Sequence, residues 1–331
     1  MKDANKIVEL IKSAKKIVIT SHRSPDGDSI GSSLALYRFI QALGCSADIC
    51  HPDPCPSFIE WAKGDAVILD FEENEAEVTR KMEAADLIFC LDYNGANRLG
   101  NAMGEILSSC KGTKVMIDHH LHPDDFVDVA VSEPDVCSTA QLIYELIDAS
   151  GNLSLMNAEI GAPIYLGIMT DTGSFRFSSV TARTHEIIGG LIATGVNHTA
   201  VHEDTYDNNR LDKLKLRGHI IAERLEIIPE YKVAIISVTE DILKSFNYIK
   251  GDTEGLVNLA LSIEGVEVAA FFTEKGDDVK MSFRSKGELA VNILASENFD
   301  GGGHKYAAGG INHDTIENTI AKFKSLLPKY F

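Results

Sequence analysis

One junction, met four times, limits what this chain can fold into: an apolar run that stops at a carboxylate or a histidine. Residues 16–21 (KIVITS) run into His22-Arg23-Ser24-Pro25-Asp26-Gly27-Asp28. LIFCLD ends at Asp92, VMIDHH ends at Asp118-His119-His120, and the run YLGIMTDTGSFRFSS carries Asp171. Helical patterns lie between these runs. One spans 29–43 and stops at Gly44; another spans 138–149, with Ser138 or Thr139 as cap and Gly151 as stop. Residues 47–51 and 66–70 read as further strands. Alternation of strand and helix predicts βαβ units, hence an α/β fold with a mostly parallel sheet covered by helices on its faces. All four clusters are expected at strand ends. The carboxyl ends of parallel strands share one edge, where ligands bind, so clusters dozens of residues apart converge on one crevice.

The second half reads differently. Residues 199–228 are charged and helical in pattern, with Gly218 their only glycine and Pro229 just beyond. This predicts a helical connector. After it come a strand at 231–238, a helix at 254–263, and strands at 266–273 and 279–284 around the turn Lys275-Gly276-Asp277-Asp278. A glycine-rich segment, GGGHKYAAGG (301–310), and a helix at 315–327 close the chain. The expected division is a metal-binding catalytic domain at 1–195, the connector at 196–230, and a smaller α/β substrate-binding domain at 231–331.

Composition narrows the function. The chain has 331 residues and a formal charge of −18. Proteins that coat long nucleic acids need a broad positive surface, so the acidic balance argues against that class, whereas a short or mononucleotide-sized ligand needs only a few local cations. A hydrophobic fraction of 44% is that of a chain with a packed core. No apolar run approaches the roughly 18 residues of a membrane span. The N-terminus MKDANKIVEL has no signal-peptide apolar core. A cytoplasmic protein without membrane partners is the expectation. The six cysteines are scattered and form no CxxC pair, which predicts reduced thiols.

The convergent set is His22, Asp26, Asp28, Asp92, His119 and Asp171. Apposed carboxylates repel one another, and unpaired buried charge is costly. A pair of divalent cations is the natural compensation. Six ligand residues suit two ions about 3.5–4 Å apart with some carboxylates bridging. Oxygen donors with imidazole and no thiolate favour Mn2+, with Mg2+, Fe2+ or Co2+ also suited.

The segments HRSPDGDSIGSS, LDYNG, DHH and MTDTGSFRFSS resemble the four motifs of the DHH phosphoesterase superfamily. MSFRSK and GGGHKYAAGG resemble its DHH-associated substrate-binding domain, and together they make the chain most similar to the nanoRNase and pAp phosphatase group. The resemblance implies one ion held by His22, Asp26, Asp92 and Asp171, and another by Asp28, Asp92, His119 and Asp171. It implies that Asp92 and Asp171 bridge, that His120 contacts the scissile phosphate and protonates the leaving oxygen, and that Asp118 orients a histidine. Leu121-His122-Pro123-Asp124 stands where relatives often carry a small or asparagine-containing loop.

A water activated by both ions would attack phosphorus in line. Arg98 is placed to reach phosphate oxygens. Arg284, Gly301, Gly302, Gly303 and His304 of the second domain would bind the rest of the substrate in a cleft between two lobes. The expected function is hydrolysis of very short oligoribonucleotides to 5′-mononucleotides, and of pAp to AMP. The expected partners are short RNA and nucleoside bisphosphates, and a homodimer is compatible with this reading. The alternatives are a phosphodiesterase for linear dinucleotides (pApA, pGpG), a RecJ-like exonuclease on long single strands, and a non-catalytic nucleotide-binding protein.

Overall fold

The computed structural model describes residues 1–287 and 289–330, and the chain divides into two compact units, Met1–Asn208 and Asn209–Phe331. The first unit contains strands β1 (Ile17–Ser21), β2 (Ala47–His51), β3 (Ile68–Asp70), β4 (Leu87–Leu91), β5 (Thr113–Asp118) and β6 (Val129–Ser132). They form one sheet in the order β3-β2-β1-β4-β5-β6, every pair parallel. Around it lie helices α1 (Ala4–Ser13), α2 (Gly27–Ala42), α3 (Phe71–Glu83), α4 (Asn101–Ser109), α5 (Thr139–Ala149), α6 (Ala158–Asp171), α7 (Ala182–Ala193) and α8 (His198–Tyr206).

The central strands are mostly apolar because both faces are covered. Ile17, Ile19, Phe89, Leu91 and Ile117 enter the core under α2, α5 and α6. Their neighbours Val18, Ile88, Cys90 and Met116 enter the core on the opposite face, with Val78, Met82 and Leu107. Each such side chain contributes about 1.5–3 kcal/mol on burial. The α/β class with a parallel sheet is as the sequence implies.

Two helices set the site. The first turn of α2 begins directly after the His22–Asp26 loop, and the Asp26 side chain caps it by accepting from the Asp28 and Ser29 amides, each at 3.0 Å. Helix α2 then crosses α6 at backbone contact. A Cβ on Gly31 would overlap the Pro163 carbonyl, and one on Gly167 would overlap the Ala140 side chain.

Three local expectations need correction. Asp171 is not at a strand end; it is the last residue of helix α6. The run 158–171 is apolar on all sides because α6 is enclosed by neighbours, and an apolar run of that kind does not declare its period. Residues 199–228 are not one helix. They hold α8 in the first unit, α9 (Leu211–Glu223) in the second, and an edge strand, β7 (Leu225–Ile228). Strand β6 was not expected, since its four residues lie between charged turns and alternate in burial only once the sheet receives them.

The second unit adds β8 (Val233–Val238), α10 (Glu240–Ser245), α11 (Leu256–Leu261), β9 (Val268–Lys275), β10 (Asp278–Ser285), α12 (Val291–Asn298), β11 (Asp300–His304), β12 (Ala307–Asn312) and α13 (Ile316–Tyr330). Its mixed sheet runs β11-β12-β10-β9-β8-β7, with only β8 and β9 parallel. Strand β10 alternates: Val279, Met281 and Phe283 pack with Leu294, Phe323 and Leu327, leaving Lys280, Ser282 and Arg284 to the other face. The glycine-rich segment is a strand pair rather than a loop. No helix among the described residues is long and apolar enough to cross a membrane.

Candidate metal centre

His22 follows β1 and is buried. Its Nδ1 lies 2.8 Å from the Arg23 carbonyl oxygen, which can only accept, so Nδ1 carries the proton in the neutral ring. The Nε2 lone pair then faces Asp92 Oδ2 at 3.3 Å and Asp26 Oδ1 at 3.9 Å. His119 repeats the device. Its Nδ1 donates to the Val136 carbonyl at 3.2 Å, and Nε2 faces Asp92 Oδ1 at 3.5 Å, Asp171 Oδ2 at 3.6 Å and Asp28 Oδ2 at 3.8 Å. Burial and the neighbouring His120 lower the His119 pKa, which keeps the ring neutral.

Each Nε2 lone pair therefore points at carboxylate oxygens, an arrangement of like polarity that a cation between them would relieve. The two oxygens of Asp92 face different imidazoles. That residue sits just past β4 with φ of 64°, a left-handed conformation that aspartate tolerates better than most residues.

The carboxylates themselves are strained electrostatically. Burial raises the pKa of Asp28, and the charges of Asp92, Asp171 and Asp26 add to it. Asp92 is raised by burial first and by Asp26 next. Asp171 is pushed up to about 6 by burial and Asp26; its place at the C-terminal end of α6 is itself unfavourable to negative charge. Asp28 has one partial relief, since its oxygens accept from the Thr139 amide at 2.6 Å and the Ala140 amide at 2.8 Å.

Among the described residues, three groups have donor atoms close enough to share an ion: His22, Asp26 and Asp92; Asp28, His119 and Asp171; and Asp92, His119 and His120. The third is the poorest, because the His120 nitrogen nearest Asp92 is Nδ1, already bonded to Asp118 Oδ1 at 2.7 Å. That bond is the largest cause of the raised His120 pKa, so this imidazole keeps a proton to give. All six residues expected to converge do so, with His120 beside them. Arg98 lies in the short helical turn 96–99, half-buried, and its charge is felt at His120; among the described residues it has no acidic partner.

Sequence reasoning missed Thr139. Its hydroxyl donates to Asp92 Oδ1 at 3.0 Å. The pattern Ser138-Thr139 was legible only as a helix cap, and Ser138 is the residue that caps, accepting from the Gln141 amide at 3.1 Å.

In the second unit, Arg284 is half-buried and donates only to the Phe283 carbonyl, at 3.0 Å, with no acidic partner among the described residues. Burial lowers its pKa, a cost that an anion would remove. Strand register pairs Arg284 with Ala307, and Ser282 with Gly309. Gly309 pairs with Gly302 in turn. Cross-strand partners share a face, so Gly302 lies on the Arg284 face, and a Cβ there would meet nothing within 4 Å. Gly301 and Gly303 differ from it, because a Cβ on either would run into the β12 backbone, and Gly303 has φ of 136°. Those two glycines serve strand packing. His304 pairs with Ala307 in the backbone, and its side chain lies outside the described residues.

Comparison with known proteins places both units. The family model described as DHH family, N-terminal domain matches residues 16–168, and that of the DHHA1 domain matches residues 223–330. A bifunctional oligoribonuclease and PAP phosphatase from Thermus thermophilus is 30% identical over 304 residues, 92% of this chain and 86% of that protein. Its namesake from Bacillus subtilis is 27% identical over 331 residues, 98% of each chain. Among solved structures, an exopolyphosphatase-related protein from Bacteroides fragilis superposes with a TM-score of 0.95 at 36% identity, covering 99% of this chain and 96% of that one.

Proposed function

The chain belongs to the DHH family of phosphoester hydrolases, and from that premise we propose that it cleaves very short oligoribonucleotides to 5′-mononucleotides and converts pAp to AMP. The observation that carries this reading is the Asp92 carboxylate shared between two imidazole lone pairs, at 3.3 Å and 3.5 Å. His22, Asp26, Asp92 and Asp171 would hold one ion, and Asp28, Asp92, His119 and Asp171 the other. Held there, divalent cations such as Mn2+ would supply Lewis acidity for activating water and for offsetting charge on the phosphoryl oxygens.

The chain's own groups do the rest. His120 donates its Nδ1 proton to Asp118, which favours the imidazolium, and that doubly protonated ring offers its Nε2 proton to the leaving oxygen. Arg98 has no acidic partner among the described residues, so its guanidinium is suited to a phosphate oxygen near His120. Arg284 grips a second phosphate or the far end of the nucleotide, with Gly302 and Gly309 leaving the sheet face low enough for backbone to approach it. A handful of cations on a chain of charge −18 suits short ligands.

The test uses Mn2+-loaded protein on a labelled RNA dinucleotide, pAp and a long single strand, with an EDTA control. Cleavage of the dinucleotide and pAp, abolished by EDTA, is expected. Cleavage of the long strand alone would assign a RecJ-like activity instead, and no cleavage at all would assign a binding protein. Arg284→Ala is expected to lower kcat/KM by about 10–100-fold, the loss of a charge-assisted bidentate contact. Its bound metal should stay unchanged, as read by elemental analysis. A variant with wild-type kcat/KM would remove Arg284 from the substrate site.

A further inference from the structure

We infer that Thr139 is a positioning residue for the metal centre, and that its hydroxyl sets how Asp92 presents its oxygens to the two cations. The inference rests on the two-ion reading of the centre. Thr139 is fully buried, and its side chain makes one hydrogen bond among the described residues, to Asp92 Oδ1 at 3.0 Å. Helix α5 does not need that hydroxyl. Thr139 is the first helical residue, and the cap is the Ser138 side chain. A β-branched residue has no advantage in a helix either, so the hydroxyl has no other local use.

Its effect follows from the geometry of Asp92. Oδ2 faces His22 at 3.3 Å, and Oδ1 faces His119 at 3.5 Å. Rotation of the carboxylate about its last bond would exchange or tilt these directions, and that torsion is soft. A donor fixed on Oδ1 removes the freedom. It also occupies one lone pair of that oxygen, which leaves the other for an ion on the His119 side. The same residue's amide donates to Asp28 at 2.6 Å. One helix end therefore orients an acid just past β4 and an acid from α2, whose chain positions are far apart. Groups that orient metal ligands typically contribute 10–100-fold to metal affinity.

Mn2+ titrated into the metal-free full-length protein tests this, with free ion read by electron paramagnetic resonance and heat by calorimetry. Thr139→Val keeps the shape and loses the donor, so its weaker-binding step should fall by about 10–100-fold. Thr139→Ser keeps the donor and should bind within about threefold of wild type. Metal-free melting curves of the variants report whether the fold is retained. Should the valine variant fail to fold, Thr139→Ala is read in its place. Equal affinity in the valine and serine variants overturns the inference while leaving the two-ion centre intact. Failure of the wild-type chain to bind Mn2+ overturns the two-ion reading as well.

Discussion

Asp92→Asn is expected to abolish hydrolysis of every substrate, with a fall in kcat/KM of about 10³-fold or more. Several kcal/mol of charge stabilisation depends on ions that this carboxylate would share, and each 1.36 kcal/mol is about tenfold in rate. Asparagine is the informative replacement because it tolerates the left-handed backbone at this position, φ 64°. It also keeps an acceptor for the Thr139 hydroxyl. What it loses is the charge. The same variant should be more stable than wild type when both are metal-free, since burial and the nearby acids penalise the ionised Asp92. Activity and apo stability then move in opposite directions, as they do where a site stores unfavourable charge for function. Assays on a dinucleotide and on pAp, with melting curves in EDTA, measure both. Wild-type turnover in the variant would remove Asp92 from its bridging role.

Gly31→Val is expected to destabilise the first unit by at least about 3 kcal/mol, or to prevent folding. A Cβ at this position would overlap the Pro163 carbonyl, and the Gly167 backbone lies directly behind it. Backbone cannot rotate aside as a side chain can. The contact is also what brings the start of α2, with Asp28, beside the end of α6, with Asp171. Any variant that survives by moving α2 outward should therefore bind Mn2+ more weakly. Gly189→Ala is the control. That glycine is exposed on α7 with open space around it, so alanine should stabilise by about 0.5–1 kcal/mol. Urea unfolding of the three proteins separates the cases, and a mild Gly31→Val would mean that the helix crossing yields more readily than the packing implies.

The convergence of the candidate site's side chains was legible because three of its four clusters follow directly from β1, β4 and β5. An apolar run that ends in an acid announces a strand that stops at a functional edge, and His22, Asp92 and the Asp118–His120 segment all obey. Asp171 converged although its element was misread, since the end of α6 reaches the same edge. The glycines show the limit in the other direction. Gly301, Gly302 and Gly303 are alike as letters, yet register puts Gly302 on the Arg284 face and makes the other two a matter of strand contact. No local pattern distinguishes them, because the distinction depends on which strand lies alongside.

What this amino-acid sequence determined unaided is local: the period of each run, where it stops, and which donor atoms stand at the stop. Those follow from backbone sterics and side-chain chemistry within a few residues. Tertiary structure alone decided the rest. It aimed the His119 lone pair through the Val136 carbonyl, seated α2 on α6 at two glycines, and joined Asp28 to Thr139 across 111 positions. Such pairings have no signature in composition or spacing, because they arise only when separate elements are packed and each buried polar atom must find a partner.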